Sequence, residues 1–334
     1  MTLNQRIEAF GHLAAAIHSK RWQPDLETIN ARNPWFTPGN LKTAIKGILR
    51  YLDKDKLKSW YSSYHRINQT EKTVGLIMAG NIPLVGFHDL ICVLISGHRA
   101  LVKLSHQDNL ILPSLIKAWS EKSSLAEQVE FIENWEVPLD ALIATGSDNT
   151  ARYVSYQFPS TPKIIRGNRT SHAVIRGDED LNILKRLGID MFSYFGRGCR
   201  NVTKLWVPSG YDFEDLAKAN EGYGHLVRNS HYQNNLQYQK ALLSTLPERF
   251  LDLGYTLLVE NTGSVSPLGV IYYQYYQNHS TLKQQLDSQM NKIQCLVSHE
   301  GWYTGSIDMG TAQFPELLDY TDDMDTMAFL KNLD

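Results

Sequence analysis

The sequence is poor in cysteine, with only Cys92, Cys199 and Cys295 in 334 residues and no CxxC pair. That spacing excludes a disulfide framework and a thiolate zinc site, and it points to a reducing, cytoplasmic setting. Neither sign of charge is in excess: 33 Lys and Arg stand against 35 Asp and Glu, a net charge of -2. No strong field exists to recruit a phosphate backbone, so no nucleic-acid partner is expected. Long apolar runs are missing too. The most apolar stretch, residues 74–102, is broken by Asn81, Pro83, His88, Asp89, His98 and Arg99, short of the roughly 20 residues a membrane helix needs, so no membrane insertion is expected. With 22 Gly and 12 Pro, no low-complexity linker stands out. A GxGxxG fingerprint is absent as well, since Gly196-Arg197-Gly198 and Gly222-Tyr223-Gly224 lack the third glycine.

What is present suits a soluble chain of about two domains. Leu3, Ile7, Phe10, Leu13 and Ile17 recur at three- and four-residue spacing, with Asn4, Arg6, Glu8 and Lys20 between them. This predicts an amphipathic helix rather than a signal peptide, within a helical N-terminal region over 1–70. Short apolar runs then alternate with helical spacing: strands at 73–79, 100–104, 129–132, 141–144, 163–166 and 172–176, and helices through 84–94, 110–122 and 181–191. Such alternation predicts a parallel, doubly wound sheet, one domain over 71–188, which the resemblance given below makes a nucleotide-binding domain. The chain then changes domain around Ser193-Tyr194-Phe195-Gly196-Arg197-Gly198-Cys199-Arg200. A smaller α/β domain follows over 189–300, with strands at 203–207, 256–260 and 269–276 and helices at 236–245 and 282–290. A tail over 301–334 is expected to pack back on the nucleotide-binding domain or on a partner subunit. Its acids, Asp319, Asp322, Asp323 and Asp325, lack EF-hand spacing and read as a solvated loop before a short helix. His225 and His231 have no companion ligand at metal spacing, so no metal is expected.

Cys199 carries the most chemical information. It follows two glycines and lies between Arg197 and Arg200, where guanidinium charge, and a helix N-terminus if one is present, would favour a thiolate. A buried structural cysteine is the alternative, and Cys92 and Cys295 fit that description better. Asn81 follows a strand and precedes a helix, so it is either a cap or turn residue or an amide donor aimed at an oxyanion. Gly146 and Ser147 close another strand and open a helix, offering N–H groups and a hydroxyl to a pyrophosphate. Lys103, at a strand end, could reach a ribose or phosphate, or simply be a surface lysine.

Taken in order, AGNIPLVGFHDLICVLISGHRALVKLS from Ala79, ATGSDNTARYV from Ala144, RGNRTSHAVI from Arg166, FGRGCRNVTKLWVP from Phe195 and GTAQFPELLDYTDDMDTMAFL from Gly310 resemble the LuxC-type acyl-CoA reductases. These are fatty-acyl reductases of the aldehyde dehydrogenase superfamily, and the resemblance runs from about residue 70 to the end. It implies an aldehyde dehydrogenase-like α/β fold, with a Rossmann-type nucleotide-binding domain and a smaller α/β catalytic domain. It makes Cys199 the nucleophile and Asn81 the oxyanion donor, together with the Cys199 backbone N–H. Lys103 would lie near the adenosine ribose, Gly146 and Ser147 near the pyrophosphate. NADPH is the implied cofactor, with Ser105 and His106 placed to meet a 2′-phosphate and NADH as the alternative. The implied substrate is a fatty acyl-CoA or another acyl thioester, and assembly into a homo-oligomer is left open. Aldehyde-oxidising relatives carry a glutamate before paired glycines, whereas this chain has Ile164-Ile165-Arg166-Gly167-Asn168. The missing base favours reduction of a thioester over hydrolysis. An aldehyde oxidiser using another carboxylate, such as Glu300, and an inactive nucleotide- or acyl-CoA-binding subunit are the rival readings.

Overall fold

A computed structural model of the chain describes residues 1–19, 21–64, 70–247 and 249–333. Lys20, residues 65–69 of the expected helical region and the last residue of the tail lie outside the described residues. By its contacts the chain divides into two units, Met1–Asn168 together with the segment from Pro315, and Arg169–Phe314.

The first unit opens with four helices: α1 (Leu3–His18), α2 (Leu26–Arg32), α3 (Pro38–Tyr51) and α4 (Lys54–Ser62). Each starts where a side-chain oxygen can accept an orphan N–H: Thr2, Asp25, Thr37 and Asp53 are their N-caps. The stripe read from the sequence is the buried one, since Ile7, Phe10 and Leu13 all pack inside. Next come β1 (Thr73–Ile77), α5 (Phe87–Ser96), β2 (Arg99–Lys103), α6 (Ile111–Ser120), β3 (Val129–Phe131), β4 (Ala141–Thr145), α7 (Asp148–Gln157) and β5 (Lys163–Arg166). The strands form a parallel sheet in the order β3-β2-β1-β4-β5. Chain direction across the sheet reverses between β1 and β4. In open α/β sheets, ligands bind outside the carboxyl ends of the strands at such a switch point.

The second unit contains β6 (Thr170–Val174), α8 (Leu181–Phe192), β7 (Val202–Pro208), α9 (Glu214–Ala219), α10 (Ser230–Ser244), β8 (Phe250–Asp252), β9 (Leu257–Glu260), β10 (Val270–Tyr276), α11 (His279–Asp287), β11 (Ile293–Ser298) and β12 (Ser306–Asp308). Its sheet runs β12-β11-β6-β7-β10-β9-β8, parallel except for the edge pair β8–β9. The division therefore falls at Asn168, earlier than the boundary expected at 188–189. β6 is the cause: it pairs with β7 and β11 rather than joining the sheet of β5.

After Phe314 the chain rejoins the first unit and ends in α12 (Thr326–Lys331), which packs on α5. Of the four acids expected in a solvated loop, Asp319 and Asp323 are exposed, but Asp322 is buried, as is Tyr320 beside it. Tyr320 Oη accepts a hydrogen bond from Trp60 Nε1 at 2.9 Å and shares another with Tyr64 at 2.8 Å, while Asp325 caps α12. Residues 301–314 remain with the second unit.

Candidate active site

Within the first unit, three loops leave the carboxyl ends of β1, β2 and β4. Asn81 lies in the turn after β1. It is not the cap of α5, whose N-cap is Gly86. The turn is tight enough to hold Leu84 at φ 59, in the left-handed region, a conformation that costs about 1–2 kcal/mol for a residue with a Cβ. Gly80 packs so closely on the β2 loop that a Cβ there would meet Ser105 Cβ and Oγ at 2.7 Å and Asp108 N at 3.1 Å. Glycine is required, and it brings the Asn81 turn against Ser105.

Lys103 ends β2, and its ammonium lies 5.9 Å from the Tyr153 ring on α7, within cation–π range. Beyond β4, a Cβ at Gly146 would meet Thr150 Oγ1 at 2.6 Å, so this glycine lets the first turn of α7 approach the strand end. Ser147 is the N-cap of α7, yet its hydroxyl makes no capping bond. A helix N-terminus with an uncommitted N-cap hydroxyl suits an anion such as a pyrophosphate. Ser105 is partly committed, since its Oγ accepts from Gln107 N at 3.2 Å. Residues Asn81, Lys103, Ser105, Gly146 and Ser147 thus gather on one rim of one sheet.

At the end of β5, the chain presents Arg166. This guanidinium is 2% exposed. It donates to Asp89 Oδ2 at 2.5 Å and to Thr326 Oγ1 at 2.6 Å. The stretch 164–168 contains no carboxylate, and its one charged group is committed to a structural ion pair.

In the second unit, Cys199 lies in the turn that feeds β7 and is partly exposed. From Cys199 the chain runs through Arg200 and Asn201 straight into β7, so no helix starts there. The preceding backbone is unusual instead: Tyr194, Phe195 and Gly196 have φ of 54, 59 and 76. Only the glycine takes this conformation without strain, so the surroundings must hold the other two. Asn201, fully buried, does much of that holding. Its Oδ1 accepts from Gly198 N at 2.7 Å, and its Nδ2 donates to Asp190 O at 2.9 Å and Ser193 O at 3.0 Å. Ser171 Oγ donates to the Cys199 carbonyl at 3.1 Å, and Gln313 Nε2 to the Arg200 carbonyl at 3.0 Å.

The segment carrying Gln313 is pinned in turn by Asp190. Its carboxylate accepts from Gly310 N at 2.5 Å and Ala312 N at 3.0 Å. Burial pushes this carboxyl up to about 7, against the pull of those two N–H groups. Sequence reasoning missed Asn201, Asp190, Ser171 and Gln313. A signal existed for one of them, because Asp190 falls among the apolar positions Leu187 and Met191 of α8.

The other thiols are placed differently. Cys92 is fully buried on α5, and burial, with Asp89 nearby, pushes its thiol well above the ordinary value. Cys295 lies on β11 with its Sγ 3.1 Å from Ser171 Oγ. Glu300 cannot serve Cys199 through its position in the sheet. β6, β7 and β11 are parallel, with Ile293 beside Thr170 and Ser171 beside Val202. Cys199 therefore stands at the amino end of the strands, and Glu300, after β11, stands at the carboxyl end. A strand of 6 residues separates those ends by about 20 Å. Among the described residues, no group of three or more His, Cys, Asp or Glu is gathered as a metal site.

No protein-family model matches the sequence, and no curated protein matches it either. Solved structures do match. An aldehyde dehydrogenase of Mycobacterium tuberculosis, complexed with NAD+, aligns with a TM-score of 0.62 at 14% identity, covering 89% of this chain and 73% of its own. An indole-3-acetaldehyde dehydrogenase of P. syringae, in complex with NAD+, aligns at 0.67 and 12% identity, covering 92% and 74%. Aldehyde dehydrogenase 21 of Physcomitrella patens, in complex with succinate, aligns at 0.66 and 10% identity, covering 98% and 79%. At these identities the likeness is one of fold. The chain has the aldehyde dehydrogenase fold, a Rossmann-like parallel-sheet unit joined to a second, mixed-sheet α/β unit.

Proposed function

We propose that this protein is an acyl-thioester reductase of the LuxC type, which converts an acyl-CoA to the aldehyde through an acyl group held on Cys199. The observation that carries the reading is the carboxylate-free stretch 164–168, its Arg166 tied to Asp89 and Thr326. An enzyme without a base to activate water preserves its thioester for reduction. The position of Glu300 at the far end of the sheet supports the same choice over aldehyde oxidation.

In this mechanism the Cys199 thiolate attacks the thioester carbonyl, forming a new C–S bond. The Asn81 amide and the Cys199 N–H stabilise the tetrahedral oxyanion, and its collapse breaks the bond to coenzyme A, which leaves as a thiolate. The Asn201, Ser171 and Gln313 hydrogen bonds keep the turn in its strained form throughout, so no reorganisation is needed at the moment of attack. Lys103, Ser105, Gly146 and Ser147 are the proposed cofactor residues, with NADPH the proposed donor and NADH the comparator. When bound, the reduced nicotinamide supplies a hydride to the acyl carbon. Release of the aldehyde returns the sulfur as a thiolate.

The test follows loss of absorbance of NADPH, and in parallel NADH, with a series of acyl-CoA chain lengths. Consumption matched by aldehyde is expected. Release of free acid from an aldehyde with oxidised cofactor would favour the oxidiser instead, and cofactor binding without turnover would favour a binding subunit. Asn81→Ala should lower turnover by about a hundredfold or more, the effect of removing one oxyanion donor.

A further inference from the structure

We infer that Asp108 is a positioning residue that locks the Asn81 turn onto the β2 loop; this rests on the role proposed above for Asn81. Asp108 is 6% exposed and lies five residues beyond the end of β2, away from the reacting atoms. Its Oδ2 accepts a hydrogen bond from the Leu84 N–H at 2.7 Å. Leu84 is the residue held in the left-handed conformation within the turn that starts at Asn81. A bulky residue stays there only if something fixes it, and a buried, charge-assisted bond to its N–H is such a fixture. The same carboxylate lines a small cavity with Ile29, Asn33 and Phe36, and its Oδ1 has no hydrogen-bond partner among the described residues. Burial of a carboxyl with half its capacity unmet opposes folding. Its retention there is explained if the bond to Leu84 serves the turn.

The β2 loop does not need this carboxylate for its own shape. Asp108 N donates to Ser105 O at 3.0 Å, and Gln107 N donates to Ser105 Oγ at 3.2 Å. Removing the side chain should therefore loosen residues 81–86 and leave 105–110 unchanged. Through Asn81, that loosening should slow acylation of Cys199 while sparing cofactor affinity.

Hydrogen exchange and rapid-quench acylation with hexanoyl-CoA on Asp108→Ala and Asp108→Asn test the inference. In Asp108→Ala, amides at 81–86 should exchange at least about tenfold faster with 105–110 unaltered, and acylation should slow about tenfold or more with NADPH affinity within about twofold. Asp108→Asn keeps an oxygen acceptor of the same shape, so exchange and acylation should return to within about threefold of the parent. That variant decides the matter even if Asp108→Ala does not fold. Unchanged exchange at 81–86 in Asp108→Ala, or fast exchange in a folded Asp108→Asn, would overturn the positioning role. Absence of any adduct in the parent protein would instead overturn the reductase reading, with the exchange arm still judging Asp108.

Discussion

The two sheets of this protein are built from opposite materials. In the first unit, the central strands bury Val74, Leu76, Ala100, Val102, Leu142 and Ile143, and the main buried charge is one ion pair, Arg166 with Asp89. In the second, the central strand β6 buries Thr170, Ser171 and His172, and β7 beside it buries Lys204. Lys204 Nζ lies over the Trp206 ring, 4.3 Å from its centroid, and donates to Thr262 O and Gln274 Oε1. His172 accepts from Trp206 Nε1 at 3.2 Å and meets Ser264 O at 2.8 Å. Buried polar groups of this kind add little net stability but confine the chain to one arrangement. The contrast teaches a division of labour: the first sheet is an apolar platform whose rim carries the proposed cofactor residues, and the second fixes the geometry of one strained turn.

The largest expected effect falls on the platform. Asp89→Ala would strand a buried guanidinium and should destabilise the first unit by about 3–5 kcal/mol, read as the shift in a denaturant midpoint. A neutral result would remove the ion pair from the account of the Rossmann-like unit. Asn201→Ala should sharpen the contrast from the other side. It removes the Asn201 partners of the Gly198 N–H and the Ser193 carbonyl, a cost of about 1–3 kcal/mol per group before relaxation, and it should lower the rate of acylation by more than the loss of folded protein explains. Equal losses of rate and folded fraction would make Asn201 merely structural.

A pH experiment isolates His172. Burial holds its imidazole down at about 4 against an ordinary value of 6.5. Stability from keeping it neutral is present above 6.5 and lost as pH falls through 4. Asp190 has the opposite sign, because its raised carboxyl, at about 7, contributes fully below 3.8 and loses that contribution as pH rises through 7. The two oppose each other between, so the parent alone is a poor probe. Against His172→Gln, the stability gap should narrow by about 2–3 kcal/mol between pH 7.5 and pH 4.5; a gap independent of pH would contradict the buried, neutral histidine. The smallest effect is expected at the exposed pair of Arg99 and Glu130, where Arg99→Ala should change stability by about 1 kcal/mol or less.

Much of the platform was legible because its rules are local. Short apolar runs marked β1, β2, β4 and β5, with a glycine just after β1, β4 and β5, and helical spacing marked α1, α5 and α6. β11 went unseen: IQCLVS is a short apolar run whose pairing with β6 joins residues far apart in sequence. The acidic run of the tail was legible only in part for a related reason, since its acids suggested solvent throughout, while Trp60 and Tyr64 supply the partners that bury Tyr320. At the candidate site, the residues expected to touch ligands stood out by type and position. Those that hold the Cys199 turn, Asn201, Ser171 and Gln313, did not, because ordinary amides and hydroxyls become informative only when their partners are known. The early domain division had the same origin, as β6 belongs with strands that follow it.

The central claim is that the Cys199 sulfur takes up an acyl group. Incubating the protein with an acyl-CoA in the absence of any nicotinamide cofactor, followed by mass spectrometry of its peptides, addresses that directly. The account predicts a mass increase of one acyl group on the peptide containing Cys199, lost in Cys199→Ala. An adduct on Cys92 or Cys295, or no adduct on any peptide, would contradict it.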